Sequence, residues 1–205
     1  MRIRRIEHLN DDLHQYRTAV VEETLPESGL VLDIGPGRGE LFYRSRGCTA
    51  FSLDIDPRTR PAVLGDAERL PFRDSSLDFI IATEVIEHVR HPKLLLDEIR
   101  RAGKPGGTVL LSTPNVAHMT NRLALLLYGD FCDDRTLHDG SDVGHIHFFT
   151  RRYFMAAVRQ SGLSIIRDWS EFVPVTPRHY IAGRGIGRSF PGLAKQMMFL
   201  CRIDK

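Results

Sequence analysis

Val31-Leu32-Asp33-Ile34-Gly35-Pro36-Gly37-Arg38-Gly39-Glu40 is the stretch that decides how the chain is read. The short apolar run around Asp33 reads as a buried strand. Three glycines follow at alternate positions, 35, 37 and 39. They permit positive φ and let the backbone approach a ligand with no Cβ in the way. Glu40-Leu41-Phe42 opens a helix, predicted from about Arg38 to Ser45. Strand, glycine turn and helix in this order make the ligand-binding end of a doubly wound α/β sheet. A dinucleotide site spaces its glycines G-x-G-x-x-G. Here the spacing is G-x-G-x-G, and position 40 is Glu.

Upstream, Glu7 to Leu25 reads as an amphipathic helix with Leu9, Leu13, Tyr16, Val20 and Thr24 roughly on one face. It either covers the sheet or lies over the ligand mouth as a lid. From there Arg17 reaches a ligand carboxylate or solvent. Downstream, the strand Thr49 to Leu53 ends in Asp54, at the interval where α/β nucleotide sites place a ribose-binding acid. Asp56 precedes Pro57 and reads as a turn former. Only Ile55 to Arg60 lead to the next strand, Pro61 to Leu64. A parallel crossover normally takes about a dozen residues or more, so the second helix should be short or absent.

Leu77 to Thr83 is apolar on both faces, as a central parallel strand should be. The helix after Pro92 turns Leu95, Leu96 and Ile99 inward. Lys104-Pro105-Gly106-Gly107 reads as a turn before a strand over Thr108 to Thr113. Val116 to Tyr128 looks helical, and Gly129 to Gly144 is a polar loop long enough to be functional. Thr150 caps a helix from Arg151 to Ser161, which Gly162 ends. Strands follow over Leu163 to Phe172 and Gln196 to Ile203, with a Pro- and Gly-containing excursion, Pro174 to Pro191, between them.

The 205 residues suit one domain. Lys and Arg number 28 against 26 Asp and Glu, too even a balance for an electrostatic nucleic-acid footprint. Cys48, Cys132 and Cys201 lack metal spacing and fit free thiols in a reducing compartment. The longest apolar stretch, Leu123 to Tyr128, is far short of the ~20 residues that cross a bilayer. No signal peptide is read at the start. A cytoplasmic protein is therefore expected.

Four further segments join the glycine turn. They are Gly65-Asp66-Ala67-Glu68-Arg69-Leu70-Pro71-Phe72 with the following Asp74 to Phe79, then Glu84-Val85-Ile86-Glu87-His88-Val89, Lys104 to Gly107, and Ser112-Thr113-Pro114-Asn115. Together they resemble the class I S-adenosylmethionine-dependent methyltransferases, the small bacterial-type members near the ubiquinone-biosynthesis O-methyltransferases. The resemblance implies a Rossmann-like seven-stranded sheet in the order 3-2-1-4-5-7-6, with strand 7 antiparallel. It implies one methyltransferase domain over 1–205, with 1–29 as N-terminal helix or lid and 116–144 and 174–191 as substrate-side insertions. The cofactor, S-adenosylmethionine, would be held by Asp33, Gly35, Gly37, Gly39, Asp54, Ile55, Asp66, Ala67 and Thr83. Adenine offers a donor beside an acceptor, and Asp66 followed by the Ala67 N–H complements both. The competing reading of Asp66 is an Asx-type turn.

Glu84, Glu87 and His88 would share a face if their segment were helical. Similar enzymes use such a set, with a later histidine matching His145, to hold Mg or Mn. The alternative is that Glu87 and His88 are structural. His145 and His147 face opposite ways in an extended segment. The resemblance selects His145 as the inward one, with His88 as a second catalytic candidate, against a histidine merely bonded to backbone. The implied activity is methyl transfer to a small-molecule acceptor, most simply a hydroxyl oxygen. The alternatives are a cofactor-binding regulatory partner without turnover and an RNA 2′-O-methyltransferase. The near-neutral charge counts against nucleic acid. Nothing in the sequence fixes the acceptor or the oligomeric state.

Overall fold

The computed structural model describes residues 9–37, 47–130, 144–176, 179–182 and 189–205. The first half contains α1 (Leu9–Thr24), β1 (Ser28–Ile34), β2 (Gly47–Asp54), β3 (Val63–Leu64), β4 (Leu77–Thr83) and α2 (Pro92–Ala102). The second half contains β5 (Gly103–Pro114), α3 (Met119–Tyr128), α4 (Arg151–Gln160), β6 (Leu163–Asp168), β7 (Phe172–Thr176), β8 (His179–Ala182) and β9 (Gln196–Ile203). Seven strands form one sheet in the order β3-β2-β1-β4-β5-β9-β6, while β7 and β8 pair separately. β9 runs antiparallel to both its neighbours, and the pairs from β3 across to β5 are parallel. Counted within the sheet, β9 is the seventh strand, so the expected order and its antiparallel insertion are both present.

Alternation along the central strands divides the core between two faces of the sheet. Leu32, Ile34 and Ile80 pack with Leu95, Leu96 and Ile99 of α2 on one side. Val31, Phe79, Ile81 and Leu110 pack on the other with Trp169, Met198, Val20 of α1 and Leu25 just after it. α1 therefore covers the sheet, and the Tyr16 hydroxyl fixes it by donating to the Trp169 carbonyl at 3.2 Å. Between β2 and β3 the crossover helix is cut to a 3-10 turn, Pro57–Thr59, capped by Asp56.

Three local expectations need correction. Lys104 to Gly107 do not form a separate turn. They belong to β5, where the register against β4 shifts between Leu77 and Phe79 and Gly106 takes φ +75°. The glycine absorbs the bend as a bulge, so pairing continues. The sixth strand stops at Asp168, whose carboxylate accepts from the Ser170 N–H at 2.8 Å and turns the chain toward the β7–β8 hairpin. α3 begins at Met119 because His118 caps it, accepting from the Asn121 N–H. The predicted helix Arg38 to Ser45, Cys132 and most of the predicted loop 129–144 lie outside the described residues. Among the described residues no helix is long and apolar enough to cross a membrane.

α4 has the predicted ends. Thr150 accepts from the Tyr153 N–H, and Gly162 at φ +74° terminates the helix. Its inward face places Phe154 between Phe149 (5.6 Å between ring centroids) and Phe199 (5.2 Å, stacked). Phe154 is fully buried. Phe154→Ala should cost about 3–5 kcal/mol of stability, as truncation of a core aromatic does. Urea unfolding followed by circular dichroism measures this.

Candidate active site

The parallel register sets Ile34 beside Leu53 and Thr83 beside Ser112, so four strands end along one edge of the sheet. β1 lies between β2 and β4, and its two neighbours are reached by crossovers in opposite directions. In open α/β sheets the ligand crevice forms outside the strand ends at such a point. Gly35 and Gly37 take φ of +63° and +60°, so the chain leaves β1 through a left-handed turn. The Gly35 N–H donates to the Leu53 carbonyl at 2.8 Å, tying this turn to the end of β2. A Cβ on Gly35 would meet Val85 Cγ2 at 2.8 Å, whereas one on Gly37 would meet no atom of the described residues within 4 Å. The first glycine thus lets two loops touch, and the second faces open space. Asp54 ends β2 and accepts from the Asp56 N–H at 2.9 Å. Asp66 forms the Asx turn, accepting from the Glu68 N–H at 2.8 Å, with its side chain exposed at the same edge. Ile55 is exposed beside Asp54.

Glu84 follows Thr83 at the end of β4 with φ +57°. A left-handed backbone at a non-glycine residue is costly and persists where its surroundings impose it. Here the Glu84 N–H donates to the Ser112 carbonyl at 3.1 Å. Its Oε1 accepts from Ser112 Oγ and Gln196 Nε2, both at 2.8 Å, and its Oε2 lies 3.3 Å from Arg17 Nη1. The segment 84–89 is a turn and not a helix, so the condition for one shared helical face is not met, and the His88 N–H donates to the Val85 carbonyl at 2.9 Å. The turn directs Glu87 inward and separates it from Glu84.

Glu87 is 1% exposed. Its Oε2 accepts from Thr113 Oγ1 at 2.9 Å, while its Oε1 has no hydrogen-bond partner among the described residues. Burial, and then the charge of Glu84, raise its pKa to about 8. The Glu87 carbonyl accepts from the N–H groups of both Ile146 (3.0 Å) and His147 (3.1 Å), which pins the histidine segment against the turn. His145 lies edge-on to His88 with ring centroids 4.9 Å apart. His147 turns away, its Nε2 3.2 Å from the Arg90 carbonyl oxygen. One ligand-capable atom from each of Glu87, His88 and His145 lies within 4.8 Å of the others.

A family model described as a methyltransferase domain matches residues 2–167. The chain belongs to this methyltransferase-domain family. Among curated relatives, the biotin biosynthesis bifunctional protein BioHC of Cellvibrio japonicus (strain Ueda107) is 38% identical over 96 residues, 40% of this chain and 19% of that protein. The ubiquinone/menaquinone biosynthesis C-methyltransferase UbiE of Burkholderia mallei (strain SAVP1) is 32% identical over 111 residues, 45% of this chain and 46% of that protein. The chain thus spans less than half the length of these relatives. The S-adenosylmethionine-dependent methyltransferase of Mesorhizobium loti has the same fold, with a TM-score of 0.59, 16% identity, and 90% of this chain and 96% of that one covered.

The methyltransferase fold brings most of the sequence-selected residues to one edge. Asp33, Gly35, Gly37, Asp54, Ile55, Asp66, Ala67 and Thr83 lie in or just before the loops there. Gly39 lies outside the described residues. Of the four residues read as metal ligands, Glu87, His88 and His145 come together and Glu84 does not join them. Ser112 falls within a motif, but neither its partnership with Glu84 nor that of Arg17 and Gln196 was readable. Gln196 is 112 positions from Glu84, and only the antiparallel insertion of β9 joins them.

The raised pKa of Glu87 has a defined effect on stability. In the unfolded chain a glutamate loses its proton near pH ~4.3, and in the folded protein it does so only near about 8. Between those values the folded state holds the extra proton, so this group's contribution is fully present below the lower value and is lost as pH rises to the upper one. The slope is at most about 1.4 kcal/mol per pH unit. Glu87→Gln should remove this component, and urea midpoints from pH 5 to 8 in EDTA should flatten accordingly.

Proposed function

We propose that the chain transfers a methyl group from S-adenosylmethionine to a hydroxyl oxygen of a small-molecule acceptor. The observation that carries this reading is the juxtaposition, through the Gly35–Val85 contact, of the glycine turn with the Glu87–His88–His145 cluster. The residues fit the cofactor. The open space above Gly37 accepts a ligand that a side chain would displace, and the acidic pair Asp54 and Asp66 suits ribose hydroxyls and the adenine amino group. When bound, the cofactor supplies a methyl already activated on a sulfonium sulfur. The protein then has two tasks. Its loops hold the acceptor oxygen in line with the methyl, and alignment of this kind lowers barriers substantially. His145 takes the hydroxyl proton, for which an imidazole working near neutrality is suited.

The same cluster also fits a divalent cation as a second reading. The buried Glu87 Oε1 lacks a hydrogen-bond partner among the described residues, and two imidazoles lie beside it. Two nitrogen donors suit Mn better than Mg, which prefers an all-oxygen shell. Glu87, His88 and His145 would hold the ion, which would lower the pKa of a hydroxyl bound to it.

Calorimetry should show binding of S-adenosylmethionine and S-adenosylhomocysteine and none of NAD. Gly37→Val should weaken that binding by more than about tenfold, 1.4 kcal/mol or more, with the circular dichroism spectrum retained. A β-branched residue at positive φ fills the cradle and strains the turn. Tighter binding of NAD would defeat the proposal. The acceptor is found by screening phenolic, sugar and lipid-linked hydroxyls for methyl transfer.

With an acceptor in hand, His145→Ala should reduce kcat by about a hundredfold or more while cofactor affinity holds. His147→Ala should leave turnover largely intact. Loss of wild-type activity in chelator, restored by Mn, selects the metal role, and insensitivity to chelator selects the base. Normal turnover by His145→Ala removes the residue from the mechanism.

A further inference from the structure

α3 and α4 together carry four arginines and no acidic residue, in a chain whose charges otherwise nearly balance. A shallow groove between them is walled by Arg122, Arg152, Met155 and Arg159. Arg122 is fixed at the junction, donating to the carbonyls of Ala117 (2.6 Å) and Gly192 (3.3 Å). Arg151 turns inward, bonded to Asp168 and Ser170 and lying over the Phe199 ring. Arg152 and Arg159, seven positions apart on one helix face, are exposed.

Beyond Arg122, α3 becomes apolar on the side that faces water. Thr120, Asn121 and Ala124 are buried against the body. Leu126 is 79% exposed, Leu127 67% and Tyr128 80%, with Leu123 and Leu125 also exposed. A surface helix normally turns polar residues to this side, and a contiguous exposed apolar patch marks a contact surface. Arg122 lies three and four positions before Leu125 and Leu126, so the basic groove runs into the apolar stripe on one face.

We propose that α3 and α4 dock the protein on an anionic membrane surface. Leu123, Leu126, Leu127 and Tyr128 enter the boundary between headgroups and acyl chains, and Arg122, Arg152 and Arg159 meet lipid phosphates. Basic side chains beside exposed leucines and an aromatic are the composition of helices that lie in this interface. A soluble polyanion such as RNA would use the arginines but leave the leucines in water. The two helices also start at the same place. Asn115, at the end of β5, bridges Phe149, and the caps His118 and Thr150 follow within three residues. Docking on this face therefore holds the strand-end crevice close to the bilayer.

The test is sedimentation of the full chain with two kinds of vesicle, phosphatidylcholine alone and phosphatidylcholine mixed with phosphatidylglycerol. The chain should pellet with the anionic vesicles and not with the neutral ones, and salt should weaken the binding. The double variants Arg152→Gln/Arg159→Gln and Leu126→Ser/Leu127→Ser should each weaken binding by roughly tenfold, as loss of basic or inserted apolar groups at a lipid surface does. Both should keep the wild-type circular dichroism spectrum and wild-type affinity for S-adenosylmethionine, which separates docking from the methyl-transfer reading. No binding to anionic vesicles overturns the proposal. So does vesicle binding unchanged in the leucine variant, or a single-stranded RNA that binds through the arginines and displaces the vesicles.

Discussion

The contact between Gly35 and Val85 is the constraint on which the site depends. Neighbouring parallel strands stand about 4.8 Å apart, so the loops leaving β1 and β4 are forced to share one space. Only a residue without a side chain can occupy position 35 and leave Val85 in place. The glycine turn is therefore shaped from two sides, by its own left-handed backbone and by the loop that carries Glu84, Glu87 and His88. Anything that displaces Val85 moves the cradle and the acid–imidazole cluster together.

The cluster is built largely from backbone and neutral side-chain restraints. Thr113 holds one Glu87 oxygen, and the Glu87 carbonyl holds the histidine segment. Glu84, whose charge still bears on Glu87, is held separately by Ser112, Gln196 and Arg17. Two carboxylates three residues apart thus have separate duties. One ties α1, β5 and β9 to the sheet edge, and the other is buried beside two imidazoles.

The strand order was legible through the family resemblance of the linked motifs, and the mouth and element ends through local punctuation. Gly35 and Gly37 mark the turn, Pro57 and Pro61 mark the shortened crossover, and Thr150 and Gly162 mark the ends of α4. The E-x-x-E-H spacing left the secondary structure open because helix and tight turn both bring residues three and four apart together. The left-handed φ of Glu84 is set by its bonds to Ser112 and is not written in the local sequence. The Lys104 to Gly107 segment misled because a glycine bulge and a turn have the same composition. The partnerships of Gln196 and Arg17 with Glu84 join distant parts of the chain, and no short-range pattern reports them.

The insertion of β9 also has a temporal meaning. β9 lies between β5 and β6, yet it follows both in the chain, and its pairing with β5 joins Thr108 to Arg202. During synthesis from the N-terminus, β1 to β5 can assemble early, but β6 has no sheet neighbour until residues 196–203 emerge. Until then β5 presents an open, apolar edge of the kind that recruits foreign strands. β9 thus acts as a closing wedge, and Gln196, its first residue, completes the bonds around Glu84 in the same step. The carboxylate arrangement at the mouth is finished only when the sheet itself is sealed.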